Sequence, residues 1–326
     1  MLNDTLTSIR EPIADSLKDY RDLFVANLTH DDAFLGRVLA HLCSHEGKQM
    51  RPILTLLSAK AVGDINATTL QAAVSLELLH TASLVHDDIV DESNERRGQA
   101  STNAQYGNKT AVLTGDYILA RSLASAAQTG NLRIVENIAQ LGATLSEGEI
   151  AQLQNISRSI STEESYFYVI HHKTAALFAS CGFLGALSTG ADDAKVEAAR
   201  LFGEKVGLSF QIRDDIFDYF DDARIGKPTG NDMAEGKLTL PAIYALREHA
   251  TKESIVWADK VKAGTATRAE ILSLVEFSKE VGGIDYAQRK MEELRNEALP
   301  LLASFASGPI ASTLRTYLDF TISRES

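Results

Sequence analysis

The chain has 326 residues, and its 32 lysines and arginines stand against 44 aspartates and glutamates, which gives a formal net charge of −12. Such a chain is a poor candidate for binding nucleic acid or coating an anionic membrane, because both partners attract basic surfaces. The hydrophobic share of 44% is that of an ordinary folded protein and excludes global disorder.

The distribution of proline predicts a helical chain. There are six prolines, and none lies between Pro52 and Pro228. Since proline breaks helix interiors, long helices can form in this gap, which is filled by good helix formers. Strand-type alternation is nearly absent. The predicted helices span residues 14–29, 32–44, 51–62, 67–91, 109–127, 131–156, 163–188, 192–220, 238–249, 251–263, 267–279, 283–305 and 309–322. We therefore predict an all-α protein with one domain.

Two features of this series point to a site. The segment 67–91 is apolar almost all round, which is typical of a buried central helix. The segment 221–237 contains three glycines and one proline and cannot be a regular helix. A polar loop of this length inside a compact fold usually has a function.

Two aspartate clusters share one spacing, and each ends an apolar helix. They are formed by Asp87, Asp88 and Asp91 in HDDIVDES and by Asp214, Asp215 and Asp218 in QIRDDIFDYFDD. Positions i and i+4 share one helix face. A single copy would be interpreted as a solvated helix end, but two copies predict carboxylates that bind divalent cations on a phosphate group.

Basic residues bracket both clusters. They are Lys48 and Arg51 in EGKQMRP, Arg96 and Arg97 in ERRG, Lys173 in HHKTA, and Lys227 and Lys237 in the predicted loop. Each alone would be interpreted as an exposed charge. Around two carboxylate clusters they indicate a site that grips a diphosphate. His80 and Gln211 lie close enough along their helices to face the same cavity.

These motifs together resemble the trans-isoprenyl diphosphate synthase family, also called the polyprenyl synthetase family. The matching segments are GKQMRP, LLHTASLVHDDIVDESNERRG, GDYILARS, EGEIAQL, HHKTAALF, FQIRDDIFDY and GKPTGNDMAEGKLTLP. Glu46 and Gln49 depart from the family's first motif, while Lys48 and Arg51 are kept. The resemblance implies an isoprenoid-synthase-type helical bundle around a deep central cavity and a Mg²⁺-dependent condensation of isopentenyl diphosphate with an allylic diphosphate such as farnesyl diphosphate.

The resemblance also implies roles for the residues. About three Mg²⁺ ions would bind the allylic diphosphate through the six aspartates. Further positive charge on that diphosphate would come from Arg96, Lys173, Lys227 and Lys237. Isopentenyl diphosphate would be held by Lys48, Arg51, His80 and Arg97. The residues nearest the chemistry would be Lys173, Thr174 and Gln211, the last two placing oxygens near the allylic cation. The family usually forms homodimers.

The length of the product depends on the apolar helix before the first cluster. One helical turn of about 5.4 Å matches roughly one isoprene unit. In the family a bulky residue four or five positions before the first aspartate stops growth early, but here those positions are Ser83 and Ala82. Deeper candidates for the floor are Leu78, Leu79 and Tyr117. We therefore predict an octaprenyl-class product, a precursor of quinone side chains, over a geranylgeranyl- or farnesyl-length product.

Two other classes of protein stay open at this point. A class I terpene cyclase would replace the second aspartate cluster and would not need Lys48, Arg51 and Arg97. A non-catalytic partner subunit would be expected to lose some of the six aspartates. Two isolated cysteines, Cys43 and Cys181, and the lack of a signal peptide or long apolar run predict a cytoplasmic protein. We expect at most transient membrane contact during product release.

Overall fold

The computed structural model describes residues 2–43, 47–96, 98–157, 161–220 and 229–324 of the chain. Within these ranges the fold is all-α apart from one short hairpin. The helices are α1 (Leu2–Arg10), α2 (Ala14–Asn27), α3 (Ala33–Cys43), α4 (Met50–Val62), α5 (Ala67–Val90), α6 (Thr102–Tyr106), α7 (Asn108–Gln128), α8 (Leu132–Ser157), α9 (Glu163–Ile170), α10 (Ala176–Ser188), α11 (Asp193–Phe217), α12 (Asn231–Ala234), α13 (Leu240–His249), α14 (Lys252–Lys262), α15 (Arg268–Glu280), α16 (Gly283–Phe305) and α17 (Gly308–Ser323). None of these described helices has the length and apolarity to cross a bilayer.

The predicted helices are confirmed, and the differences lie between them. Helices α1 and α6 were not predicted, and neither was the antiparallel pair β1 (Glu95–Arg96) and β2 (Gln99–Ala100). The two strands were missed because strands of two residues are too short to show the alternation of apolar and polar residues from which strands are predicted. A π-helical turn at His171–Ala175 joins α9 to α10 within the predicted helix 163–188. Of the predicted loop 221–237, residues 229–237 are described, and they contain α12.

Helix α10 lies at the centre of the bundle. Its sequence ALFASCGFLGALS is apolar on every side, and it packs against α4, α5, α8 and α11. Glycines bring α10 and α11 into backbone contact. A Cβ on Gly182 would lie 2.0 Å from the carbonyl oxygen of Ala199, and one on Gly203 would lie 2.2 Å from that of Phe178. This contact fixes α11 against the centre of the fold.

Helix α11 joins two hydrophobic clusters. Phe202 and Val206 belong to a cluster formed with α4, α5, α7, α8 and α10. One and a half turns later, Ile212 and Ile216 belong to a second cluster formed with α9 and α13–α16. The second aspartate motif therefore lies where the two clusters meet. The expectation of a single domain stays a prediction.

Candidate active site

The first aspartate motif lies at the carboxyl end of α5. Helix α5 begins with a capping box at Asn66 and Thr69 and ends at Val90, with the amide of Asp91 donating to the carbonyl of Asp87 over 2.8 Å. Asp87 and Asp91 share one face, as predicted from their spacing. The helix macrodipole places partial negative charge at this end, so carboxylates here are stabilised only by nearby cations.

Asp88 lies on another face of α5 and is paired. It is 3% exposed, and the guanidinium of Arg96 donates to it from Nε over 2.7 and 2.8 Å and from Nη2 over 2.5 Å. The hairpin β1–β2 carries Arg96 back to α5. This bidentate pair fixes the chain after the motif, and the role of Asp88 as a metal ligand stays a prediction.

The second motif is held by hydrogen bonds at the carboxyl end of α11. The two carboxylate oxygens of Asp218 accept the backbone amides of Asn231 and Asp232 at 2.9 and 3.1 Å, so Asp218 caps α12. Asp215 is 4% exposed. It accepts hydrogen bonds from Gln211 Nε2 at 2.8 Å and from the Tyr166 hydroxyl at 2.6 Å.

Asp214 lies among cations from both ends of the chain. The buried guanidinium of Arg324 donates to its carboxylate and to the carbonyl of Phe210, the latter over 3.2 Å. Lys48 and Arg51 also act electrostatically on Asp214. Burial and the charge of Arg324 lower the pKa of Lys48. Lys48 and Arg51 thus lie close enough to act on the second motif, their role in binding isopentenyl diphosphate stays a prediction, and Arg324 is a third cation that the sequence analysis missed.

The π-helical turn places Lys173 between two cavities. Lys173 pairs with Glu149 of α8, and it lines both a polar cavity of about 180 Å³ and an apolar one of about 610 Å³. Its neighbour Thr174 donates to Gln211 Oε1 over 2.7 Å. A π turn inserts one extra residue and is frequent at functional sites. Here it lets one segment supply both a cation and a hydroxyl to the site.

Lys237 connects the two motifs electrostatically. Burial lowers the pKa of Lys237, but its hydrogen bond with Glu235 and the negative charges of Glu235, Asp91 and Asp232 together outweigh that effect, so the pKa stands above its ordinary value. The ammonium group also acts on Asp91 of the first motif and on Asp232 after the second. The two aspartate motifs therefore face one site. Asp232 lines the polar cavity with Asp215 and was missed, because its single carboxylate repeats no spacing.

The remaining predicted binding residues are placed as follows. His80 is 9% exposed and lines a small cavity of about 100 Å³ with Asp88 and Arg96, on the side of α5 facing β2. Arg97 and Lys227 lie outside the described residues, so their predicted roles stay predictions.

Uncompensated negative charge at this site fits a divalent cation. Burial and the charge of Glu149 raise the pKa of Asp87 to about 6, and burial raises that of Asp215 to about 7. All donors are oxygens, which Mg²⁺ prefers. In the described ranges no three acidic, histidine or cysteine side chains converge closely enough to hold a metal ion by themselves. Phosphate oxygens of a substrate and water would complete such a site.

The raised pKa of Asp87 predicts a dependence of stability on pH. Because its pKa is about 6 in the folded chain and near its ordinary value of about 3.9 when unfolded, the folded state binds an extra proton between these values. Stability of the metal-free protein should therefore fall as pH rises from about 4 to about 6 and level off above that. Melting temperatures in EDTA should show a shallower fall for Asp87→Asn than for wild type, and parallel curves would contradict the assignment.

An apolar groove extends from Asp87 and Lys173 between α5, α7 and α8. On α5 it is lined at intervals of three and four by Leu79, Ala82, Ser83, His86, Asp87 and Val90. From Asp87 to Leu79 this wall is about 12 Å long. Below Leu79, the hydroxyls of Ser75 and Ser122 donate to each other's carbonyls over 2.8 and 2.7 Å, which brings α5 and α7 together.

Two of the predicted floor residues lie elsewhere. Leu78 is fully buried in the first hydrophobic cluster, because it lies nine residues before Asp87 and so about half a turn away from the groove face. Tyr117 packs edge-on against His30, with ring centroids 5.8 Å apart. The described groove wall contains Leu119 and Leu123 of α7 instead. Leu78 and Tyr117 are thus corrected to core and surface-packing residues.

The adjacent leucines give a matched test of this assignment. Leu79→Ala should lengthen the product by about one isoprene unit, because it opens the deep end of the groove. Leu78→Ala removes the same atoms from the opposite face, and we expect it to lower stability by about 2–5 kcal/mol without changing product length. Sizing of dephosphorylated products and thermal melts would check both, and equal product lengths for the two variants would contradict the groove.

Comparisons with known proteins agree with this geometry. The polyprenyl synthetase family model matches residues 32–277. An octaprenyl diphosphate synthase from Haemophilus influenzae is 34% identical over 84% of each chain. A polyprenyl synthase from Caulobacter crescentus, solved with calcium and isoprenyl diphosphate, has a TM-score of 0.92 at 30% identity over 98% of each chain. A geranylgeranyl pyrophosphate synthase from Bacteroides thetaiotaomicron has a TM-score of 0.87 at 48% identity over 98% of this chain and 100% of that one. The chain therefore belongs to the polyprenyl synthetase family and is a prenyltransferase of the isoprenoid-synthase fold.

Proposed function

We propose that the protein condenses isopentenyl diphosphate head-to-tail with an allylic diphosphate such as farnesyl diphosphate to give an all-trans long-chain polyprenyl diphosphate. The octaprenyl class, a precursor of quinone side chains, is the product we propose. The observation that carries this proposal is the apolar groove of about 610 Å³, which starts at Asp87 and Lys173 and passes Ala82 and Ser83 without a bulky side chain.

The charged groups support separate sites for the two diphosphates. Bound Mg²⁺ would supply positive charge to the leaving diphosphate, and Asp87, Asp91 and Asp215 are the carboxylates best placed to hold it. Lys173 and Lys237 add positive charge at the same mouth. Lys48 and Arg51, on the far side of Asp214, are proposed to hold isopentenyl diphosphate. The carbon–oxygen bond of the allylic substrate breaks and releases diphosphate, the double bond of isopentenyl diphosphate attacks the allylic cation, and the proton that is then lost passes to the released diphosphate.

The open side of the groove supports a long product. Leu123 lines the groove next to Ser122, which contacts Ser75 below Leu79, and it is 39% exposed. A hydrocarbon that outgrows the α5 wall can therefore continue between α7 and α8. A product of geranylgeranyl length is the second candidate, favoured by the 48% identity to the Bacteroides thetaiotaomicron protein.

A homodimer is part of the proposal. Helices α7 and α8 expose apolar side chains, among them Leu113 at 68% and Leu132 at 69%. Burying this face against a second copy would remove it from water. Light scattering after gel filtration should give twice the chain mass, and a monomer at micromolar concentration would contradict this part of the proposal. We also propose a cytoplasmic location, since the two cysteines, Cys43 and Cys181, form no disulfide.

A product assay tests the proposed function. Purified protein is incubated with farnesyl diphosphate, labelled isopentenyl diphosphate and Mg²⁺, and the dephosphorylated alcohols are sized. A series of products ending near the octaprenyl alcohol would support the proposal. Products ending at geranylgeranyl length would keep the chemistry and select the second candidate. No incorporation, with or without cell extract that could supply a partner subunit, would overturn the function and favour a terpene cyclase or a non-catalytic subunit.

A further inference from the structure

Tyr166 has a contact that packing alone does not explain. Helix α9 begins with a capping box formed by Thr162 and Ser165, and its face bearing Tyr166, Ile170 and Lys173 lines the polar cavity. The Tyr166 ring lies within the second hydrophobic cluster. Its hydroxyl group nevertheless donates to Asp215 Oδ2 over 2.6 Å, a short charge-assisted hydrogen bond.

This hydrogen bond is one end of a chain of four side chains. Thr174 donates to Gln211 Oε1 over 2.7 Å, which fixes which end of the Gln211 amide faces Asp215. Gln211 Nε2 then donates to Asp215 Oδ1 over 2.8 Å. Each carboxylate oxygen of Asp215 therefore has one donor, from α9 on one side and from α11 on the other. Because both oxygens of Asp215 accept a hydrogen bond, rotation of the carboxylate plane is restricted. The lone pairs that are not used in these hydrogen bonds therefore keep a fixed direction in which they can bind a metal ion.

We propose that Tyr166 is a positioning residue that orients Asp215 for metal-dependent diphosphate binding. The proposal rests on the proposed function, in which Asp215 is a metal ligand. Tyr166 does not touch substrate in this assignment and acts through Asp215. Tyr166, Lys173 and Thr174 lie on one continuous segment. The π turn therefore fixes the positions of the Lys173 ammonium group and the Thr174 hydroxyl relative to the Tyr166 hydroxyl that orients Asp215.

Binding of inorganic pyrophosphate with Mn²⁺ tests the role without relying on turnover. Isothermal titration calorimetry and Mn²⁺ paramagnetic resonance would compare wild type with Tyr166→Phe, which removes the hydroxyl and keeps the ring. We expect the affinity for Mn²⁺–pyrophosphate to fall about tenfold, the size of one hydrogen bond to a charged group. The Mg²⁺ concentration for half-maximal rate should rise by a similar factor, while KM for isopentenyl diphosphate stays within about twofold.

Tyr219→Phe is the matched control. Tyr219 is equally buried in the same cluster, but its hydroxyl contacts Thr239 Oγ1 at 3.1 Å and accepts the amide of Ala242 at 3.2 Å. Loss of its hydroxyl should lower the melting temperature and leave the affinity for Mn²⁺–pyrophosphate unchanged. In a double-mutant cycle, Tyr166→Phe should add little to Asp215→Asn, because both act on one carboxylate.

The outcomes separate this proposal from the proposed function. Equal affinities for wild type and Tyr166→Phe, or additive effects in the cycle, would overturn the positioning role and leave Tyr166 as a packing residue. Wild type that neither turns over nor binds Mn²⁺–pyrophosphate would overturn the proposed function itself. If circular dichroism shows that Tyr166→Phe does not fold, Thr174→Val can be used instead. It removes the hydrogen bond to Gln211 at the other end of the same hydrogen-bond series and should give the same loss of affinity for Mn²⁺–pyrophosphate.

Discussion

Replacing Asp87 by asparagine should lower kcat by about 10²- to 10³-fold at saturating Mg²⁺. Asp87 lines the apolar groove beside Lys173, the residue that lines both cavities, and in the described ranges its carboxylate accepts no hydrogen bond from another side chain. Burial raises its pKa to about 6. The charge of Asp87 is therefore costly to the fold, and the cation that we propose to bind there would offset this cost. Asparagine keeps the size and removes that charge.

The fold should survive this change. Because burial disfavours the charge that the variant removes, and Lys173 and Arg96 offset this cost only in part, the metal-free protein should be at least as stable as wild type. Steady-state kinetics and thermal melts would be compared with those of Glu147→Gln, which removes an exposed carboxylate from α8 and should leave kcat unchanged. A kcat for Asp87→Asn within about tenfold of wild type would contradict a role in metal binding.

Replacing Ser83 by phenylalanine should shift the product from the long-chain class to the short-chain class, of farnesyl or geranylgeranyl length, because a bulky ring one turn below Asp87 would narrow the groove close to its start. Ser83 lies one turn below Asp87 on the groove wall. Its hydroxyl donates only to the carbonyl of His80, over 2.9 Å. A phenyl ring at this position would extend across the groove and stop the hydrocarbon.

Product length and rate should separate in this variant. The first condensation takes place above Ser83, so kcat for the first addition should stay within about tenfold. Ser83→Ala is the matched control, because it removes the same hydroxyl and adds no bulk, and its products should match those of wild type. Long products from Ser83→Phe would show that the hydrocarbon does not follow α5, and the groove assignment would then be wrong.

Much of this site could be predicted from local spacing. The aspartates recur at i, i+1 and i+4, and helical geometry alone places Asp87 and Asp91 on one face. The direction of Leu79, Ala82 and Ser83 follows from the same periodicity, but Leu78 was assigned to the groove because a run of apolar residues on a buried helix marks no face.

Contacts between distant segments could not be predicted in this way. Arg324 reaches Asp214 across 110 residues, and Tyr166 reaches Asp215 across 49. Neither has a local pattern, since a single arginine near a chain end or a tyrosine among aromatic residues is ordinary. The π turn at His171–Ala175 has no composition that distinguishes it from an α-helix. Such features depend on which helices pack against each other in the fold. The periodicity of apolar residues along one helix does not contain this information.

The backbone contact between α10 and α11 has a mechanical consequence. Where Gly182 and Gly203 meet the opposite helix there is no side chain left to move aside, so this half of the bundle is stiff. The groove itself is formed by α5, α7 and α8, and the α8 residues that line it include Ala139, Gly142 and Ala143. A lengthening hydrocarbon therefore strains α7 and α8 first. During elongation to the proposed long product, we expect the second aspartate motif on α11 to keep its position, while α7 and α8 move to make room for the hydrocarbon.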